Sequence, residues 1–161
     1  MHVEFKRLPE VPLSDLADLF NDPDVCRHLP LAKAPSTPET CSRFVMAKER
    51  MWAEHGYGPW AFLVDGEFAG WGGLQPEGPD ADLGFVLRPR FWGMGLRLAR
   101  EVLRRAFEEM DHDSVIVLLP PSRTRVRGLK RIGFEPDGEA VVGGERFLRY
   151  RRYNPRRVQH G

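Results

Sequence analysis

At residues 92–97 the chain reads Trp92-Gly93-Met94-Gly95-Leu96-Arg97, at the head of a stretch with helical periodicity. Two glycines at the start of a helix leave several backbone N–H groups unpaired and uncovered by any Cβ, and the helix dipole adds about half a positive charge there. The chemistry this favours is the cradling of a phosphate-type anion. A plain tight turn uses the same residues, so the segment alone leaves both readings open. Two nucleotide motifs fail on residue identity. A P-loop needs Lys followed by Ser or Thr after its second glycine, where this chain has Leu96-Arg97. A dinucleotide fingerprint needs a third glycine and a parallel strand-helix-strand start.

The elements that must position this segment follow from the apolar pattern. His2 to Leu8 alternates like a strand, and Leu13 to Phe20 repeats at helical spacing. Thr37 as cap, Pro38 in the first turn and Glu39 toward the dipole open a second helix, which runs to about Glu54 before Gly56. Short strands follow at Pro59 to Val64, Phe68 to Leu74 and Ala81 to Leu87, the first two joined by a hairpin turn at Asp65-Gly66. Trp92 to about Met110 reads as a helix with Leu96, Ala99, Leu103, Phe107 and Met110 on one face. Ser114 to Leu119 is a continuous apolar run suited to a strand covered on both faces, followed by a basic helix near Arg123 to Arg131. Phe134 and Phe147 to Tyr150 close the chain as strands. This order predicts a mixed α/β sheet in one domain over residues 1–161.

Composition bounds the function. With 161 residues, 42% apolar and 29% charged, the chain has the make-up of a folded globular domain. Its net charge of +1 hides a division: residues 1–80 carry a net −6, and residues 81–161 a net +7, mostly from arginine. That division argues against diffuse nucleic-acid binding and for an anionic ligand held by the second half, with a solvated arginine-rich surface as the plain alternative. Cys26 and Cys41 match no disulfide framework and no zinc spacing, so no metal is expected. Met1 to Phe5 lacks the basic and apolar regions of a signal peptide, and no apolar run nears the roughly 18 residues needed to span a bilayer. A cytoplasmic, reducing location without membrane contact is the expectation.

The ordered combination resembles the GNAT superfamily of N-acetyltransferases. The run Ala81-Asp82-Leu83-Gly84-Phe85-Val86-Leu87, then Pro89 and Trp92-Gly93-Met94-Gly95, is similar to the ribosomal-protein alanine acetyltransferase (Rim-type) branch, as is the opening Asp22-Pro23-Asp24-Val25 before Leu29-Pro30. Gly133-Phe134, after a helix, is similar to the superfamily's second conserved segment. The resemblance implies a mostly antiparallel sheet of about seven strands with about four helices and a splayed central strand pair, residues 1–80 shaping the acceptor side and 81–161 binding acetyl-CoA. It implies that Trp92, Gly93, Met94, Gly95, Leu96 and Arg97 hold the pyrophosphate, with Arg97 departing from the small residue usual at its place. The backbone of Phe85, Val86 and Leu87 would bond the pantetheine arm and offer an N–H to the thioester oxygen.

In the second segment the family's pantetheine-contacting Asn falls on Ser122, its Ser on Arg125 and its frequent thiolate-protonating Tyr on Gly128, which has no acid to offer. Ser122 keeps a hydroxyl as a possible catalytic or cofactor contact. Asp82 stands where the branch often has Glu and is the candidate base. Acetyl transfer would proceed by direct attack of an amine, on a small molecule or a protein N-terminus, with no covalent enzyme intermediate. Homodimers are common in the superfamily. Two other classes fit parts of the pattern: a coenzyme A-binding regulator with weak catalysis, motivated by Gly128 and Arg125, and a nucleic-acid module using Arg123, Arg125, Arg127, Lys130 and Arg131, which the acidic half opposes.

Overall fold

A computed structural model describes residues 1–27, 36–123 and 126–158. Seven strands, β1 (Val3–Lys6), β2 (Pro59–Val64), β3 (Glu67–Glu77), β4 (Asp80–Leu87), β5 (Ser114–Leu119), β6 (Glu135–Val142) and β7 (Glu145–Tyr153), form one sheet in the order β1-β2-β3-β4-β5-β7-β6. The helices are α1 (Leu13–Asn21), α2 (Pro23–Cys26), α3 (Pro38–His55), α4 (Gly95–Arg104), α5 (Arg127–Arg131) and α6 (Pro155–Val158). The expected mixed, mostly antiparallel sheet is present. β1 with β2, β2 with β3, β5 with β7 and β6 with β7 run antiparallel, while β4 and β5 run parallel, with Asp82 opposite Ile116 as the register pair between them. The contacts divide into two compact units, Met1–Gly73 with Phe85–Met94, and Leu74–Gly84 with residues 95–161.

In the first unit, α3 begins and ends as its residues dictate. Thr37 and Thr40 cap each other reciprocally, Pro38 occupies the first turn, and Gly56 at φ 75° stops the helix in the left-handed region. Asp65 and Gly66, at φ 50° and 82°, make the hairpin turn between β2 and β3. Leu16 and Leu19 of α1 and Cys41 and Val45 of α3 pack with Ala61, Phe68 and Trp71 of the sheet, and Val86 lies against this cluster. At Gly70 two backbones meet: a side chain there would start on the Val86 carbonyl oxygen and 2.7 Å from Leu87 Cα. Its φ of 148° also excludes an ordinary L-residue.

The helix expected over Trp92 to Met110 is three pieces. A 3-10 segment covers Pro89–Met94, α4 covers Gly95–Arg104, and a π turn covers Arg105–Glu109. Pro89 shapes the first break, since it can start a turn but donates no N–H. The basic helix is shorter than expected, Arg127–Arg131, and Thr124 and Arg125 lie outside the described residues. The closing strands are longer than expected and begin after Phe134, and the β6–β7 hairpin carries Arg149 and Arg151 at half-buried positions. Arg151 spans Asp80, Asp137 and the Ser114 hydroxyl, and Arg149 bonds Asp137. Buried Asn154 donates to His112 O and accepts from the Arg156 N–H, tying the chain end back to the residues after the π turn.

Gly70→Ala is expected to cost about 3 kcal/mol, from left-handed-side strain and a backbone collision together. Urea unfolding of the variant beside the wild type measures it.

Candidate active site

The glycine pair sits at a junction of helix types, Gly93 in the 3-10 turn and Gly95 as the first residue of α4. Both have ordinary backbone conformations, and a Cβ built on either meets nothing within 4 Å. Neither a turn nor packing therefore requires glycine at these positions, which leaves the open helix start itself as the feature that the missing side chains expose. Met94, between them, is buried, so it offers a ligand only backbone. Leu96 is half-buried and Arg97 exposed.

Trp92 is half exposed, and its indole N–H donates to the Leu87 carbonyl at 2.9 Å, pinning the turn to the end of β4. On β4, Leu87 is buried and Phe85 and Val86 are half-buried. The Val86 carbonyl is aimed at Gly70, and in a trans peptide the following N–H points the opposite way, so the Leu87 N–H is directed away from Gly70. The Arg88 N–H, one residue on, bonds Ala69 O at 2.8 Å. Arg88 itself pairs with Asp15 and lies over the Phe68 ring, so its guanidinium is occupied within the first unit.

Asp82 is half-buried on β4, and no hydrogen bond or ion pair to it is found among the described residues. Burial, reinforced by the charge of Glu77, pushes its carboxyl up to about 7. Such a carboxylate takes up a proton near neutral pH, the property a general base needs. Ser122 is exposed in the turn after β5, where the Arg123 N–H bonds Pro120 O. Gly128 of α5 faces Leu96: a Cβ there would lie 3.0 Å from Leu96 Cδ2, so this glycine lets α5 sit close to the start of α4. Cys26 and Cys41 are free thiols, and no group of metal-ligating side chains occurs among the described residues.

A family model described as an acetyltransferase (GNAT) domain matches residues 7–135. The chain belongs to the GNAT acetyltransferases. FsC-acetyl coenzyme A-N(2)-transacetylase of Aspergillus fumigatus is 40% identical over 73 residues, covering 38% of this chain and 31% of the relative. The chain thus spans under a third of the length of that curated relative. The ribosomal-protein-S5-alanine acetyltransferase of Vibrio fischeri superposes with a TM-score of 0.70 at 15% identity, covering 96% of this chain and 94% of that one. An aminoglycoside acetyltransferase solved in complex with coenzyme A superposes with a TM-score of 0.72 at 14% identity, covering 94% and 93%. At these identities the two structures establish a shared GNAT fold.

Within this GNAT domain the aromatic residues of the N-terminal half are mostly core. Trp60 and Trp71 are buried, and the Trp52 N–H donates to Pro59 O with the Arg7 guanidinium 4.1 Å above its ring. Leu29, Pro30 and Arg125 lie outside the described residues. The sequence alone gives no role to Glu77, and it shows Gly84 only as part of the Ala81–Leu87 run. The short Glu77-Gly78-Pro79-Asp80 turn that brings Glu77 near Asp82 was the available signal for the first, and a glycine inside a strand run for the second.

The sign of the Asp82 shift fixes a stability effect. Its folded value lies above the unfolded one, so the stability it contributes is full below about pH 4 and is lost as pH rises through about 7. Asp82→Asn cannot ionise, so its stability relative to the wild type should improve by about 1 kcal/mol between pH 5 and pH 8, allowing for solvent screening of a half-buried group. Urea unfolding at the two pH values reads it.

Proposed function

We propose that this GNAT domain transfers the acetyl group of acetyl-CoA to a primary amine by direct attack. The observation that carries the reading is the open glycine pair at the start of α4, where Gly93 and Gly95 have ordinary φ and nothing within 4 Å of a Cβ. A glycine there weakens a helix start relative to alanine, and close approach of a pyrophosphate to the N–H groups is a compensating gain. Trp92, Gly93, Met94, Gly95, Leu96 and Arg97 form the cradle in this reading, and Phe85, Val86 and Leu87 take the pantetheine arm. The Leu87 N–H, directed away from Gly70, is the donor suited to the thioester oxygen as negative charge develops on it.

Asp82 is the base. It takes one proton from the bound ammonium, the free amine attacks the thioester carbonyl carbon, and the C–S bond breaks as the C–N bond forms. The nitrogen then loses its second proton, and the departing thiolate gains one through solvent. The products are the amide and coenzyme A, with the proton held by Asp82 returned to water. Ser122 is a candidate contact to the pantetheine arm from the turn after β5.

The acceptor chemistry that the motifs favour is that of the Rim-type branch, a peptide or protein N-terminus. Support comes from the likeness of the Ala81–Leu87 and Trp92–Gly95 residues to that branch. One observation favours a second reading, a coenzyme A-binding protein with weak catalysis. Gly128 is packed against Leu96, so the position of the family's usual acid is closed to a side chain without movement of Leu96.

Calorimetry should detect coenzyme A binding, and Gly95→Glu should abolish it by placing a like charge in the cradle. No binding by the wild type at millimolar coenzyme A contradicts both readings, and unchanged affinity in Gly95→Glu contradicts the placement of the pyrophosphate. With an amine substrate, kcat/KM should rise with pH and level off above about 7, as Asp82 loses its proton. Asp82→Asn should lose that limb and about a hundredfold in kcat. A weakly catalytic binder gives binding without turnover across an amine panel.

A further inference from the structure

The glycines of this chain separate by what a side chain would meet. Gly56, Gly66 and Gly78 have positive φ at turns, Gly70 and Gly133 have neighbours closer than a Cβ allows, and Gly128 is in tight contact with the Leu96 side chain. Gly84 has none of these reasons. It lies inside β4, is exposed, has an ordinary φ, and a Cβ on it would meet nothing within 4 Å. Glycine in a strand interior loses backbone entropy on folding and gives up cross-strand packing, so this position carries a cost that the chain's own packing does not require. Among the described residues only Gly93 and Gly95 share these features, and they are the proposed cradle.

Alternation along β4 puts Asp82 and Gly84 on one face, about 7 Å apart, while Ala81, Leu83 and Leu87 are buried on the other. The face therefore presents a carboxylate with no side-chain partner beside a stretch of bare backbone. A carboxylate that is to take a proton from an ammonium needs the nitrogen within hydrogen-bond reach, and the substituents on the carbon next to that nitrogen need room of their own.

We propose that Gly84 is the floor of the acceptor subsite: its missing side chain admits the carbon bearing the amine next to Asp82 and sets how large a substituent that carbon carries. This rests on the transfer reaction proposed above. The substrate class it fits is a primary amine on a substituted carbon, as at the N-terminus of a peptide whose first residue has a side chain. A small nucleophile such as hydroxylamine needs none of this room.

Gly84→Ala and Gly84→Val in the full chain test it. Coenzyme A affinity should stay within about twofold of the wild type, and acetyl transfer to hydroxylamine within about threefold. Transfer to the better substrate of an alanyl peptide and an aminoglycoside, whose ring amines sit on substituted carbons, should fall about tenfold in Gly84→Ala and about a hundredfold in Gly84→Val, a range typical of pocket sterics. Parallel losses for hydroxylamine and the larger amine, no loss for either, or wild-type transfer to hydroxylamine but to neither of the two overturns the inference while leaving acetyl transfer standing. A wild type that binds no coenzyme A removes the proposed function and the inference with it.

Discussion

The close approach of β4 to Gly70 fixes the strand that the site depends on. A carbonyl oxygen, that of Val86, stands where any other residue at position 70 would begin its side chain. That contact holds the last turn of β4 in a defined rotation, which sends the Leu87 N–H away from Gly70 and the Arg88 N–H onto Ala69 O. The Leu87 carbonyl is then free to accept from the Trp92 indole, and this bond sets where the 3-10 turn carrying Gly93 leaves the strand. A single missing Cβ thus orients both a backbone donor and the start of the glycine pair. The side chains of Val86 and Phe68 add the apolar support, packing with α1 and α3 in the first unit.

Arginine distribution has a simpler physical account than the charge division suggests. Arg104 and Arg105 pair with Glu101 along α4 and its π turn, and Arg104 also reaches Glu108 and Glu109. Near the chain end, Arg156 pairs with Glu108, and Arg157 with Asp111 and Asp113. Most of these are exposed pairs worth little each. Arg151 differs, being half-buried, with two carboxylates and a hydroxyl around it, and it joins β4, β5, β6 and β7 through one guanidinium. Much of the positive half is therefore structural, and Arg88 is held by Asp15 and Phe68.

Local rules made much of the fold legible. β2 and β5 have the expected bounds, and the Thr37 cap, the Gly56 stop and the Asp65-Gly66 turn each follow from one residue's conformational preference. The helix read over Trp92 to Met110 takes in part of a 3-10 turn at its start and a π turn at its end, which only hydrogen-bond geometry distinguishes from the α-helix between them. The β6–β7 hairpin was shortened in the reading because its arginines are satisfied by Asp80 and Asp137, partners that sequence spacing does not show. In the site, the glycine pair and Asp82 were visible as residue types. Their properties were not: the open space over Gly93 and Gly95 and the raised carboxyl beside Glu77 depend on tertiary neighbours, as does the tight contact of Leu96 on Gly128.

A coenzyme A titration followed by amide nitrogen-proton spectra of the labelled protein tests the central claim most directly, because it reports on the backbone groups that would hold the ligand. The cradle at the start of α4 predicts the largest shifts at the Gly93, Gly95 and Leu96 amides, with Leu87 following. Shifts centred instead on the cavity of about 530 Å³ lined by Gly133, Asp137 and Arg152 at the β6–β7 hairpin would contradict it.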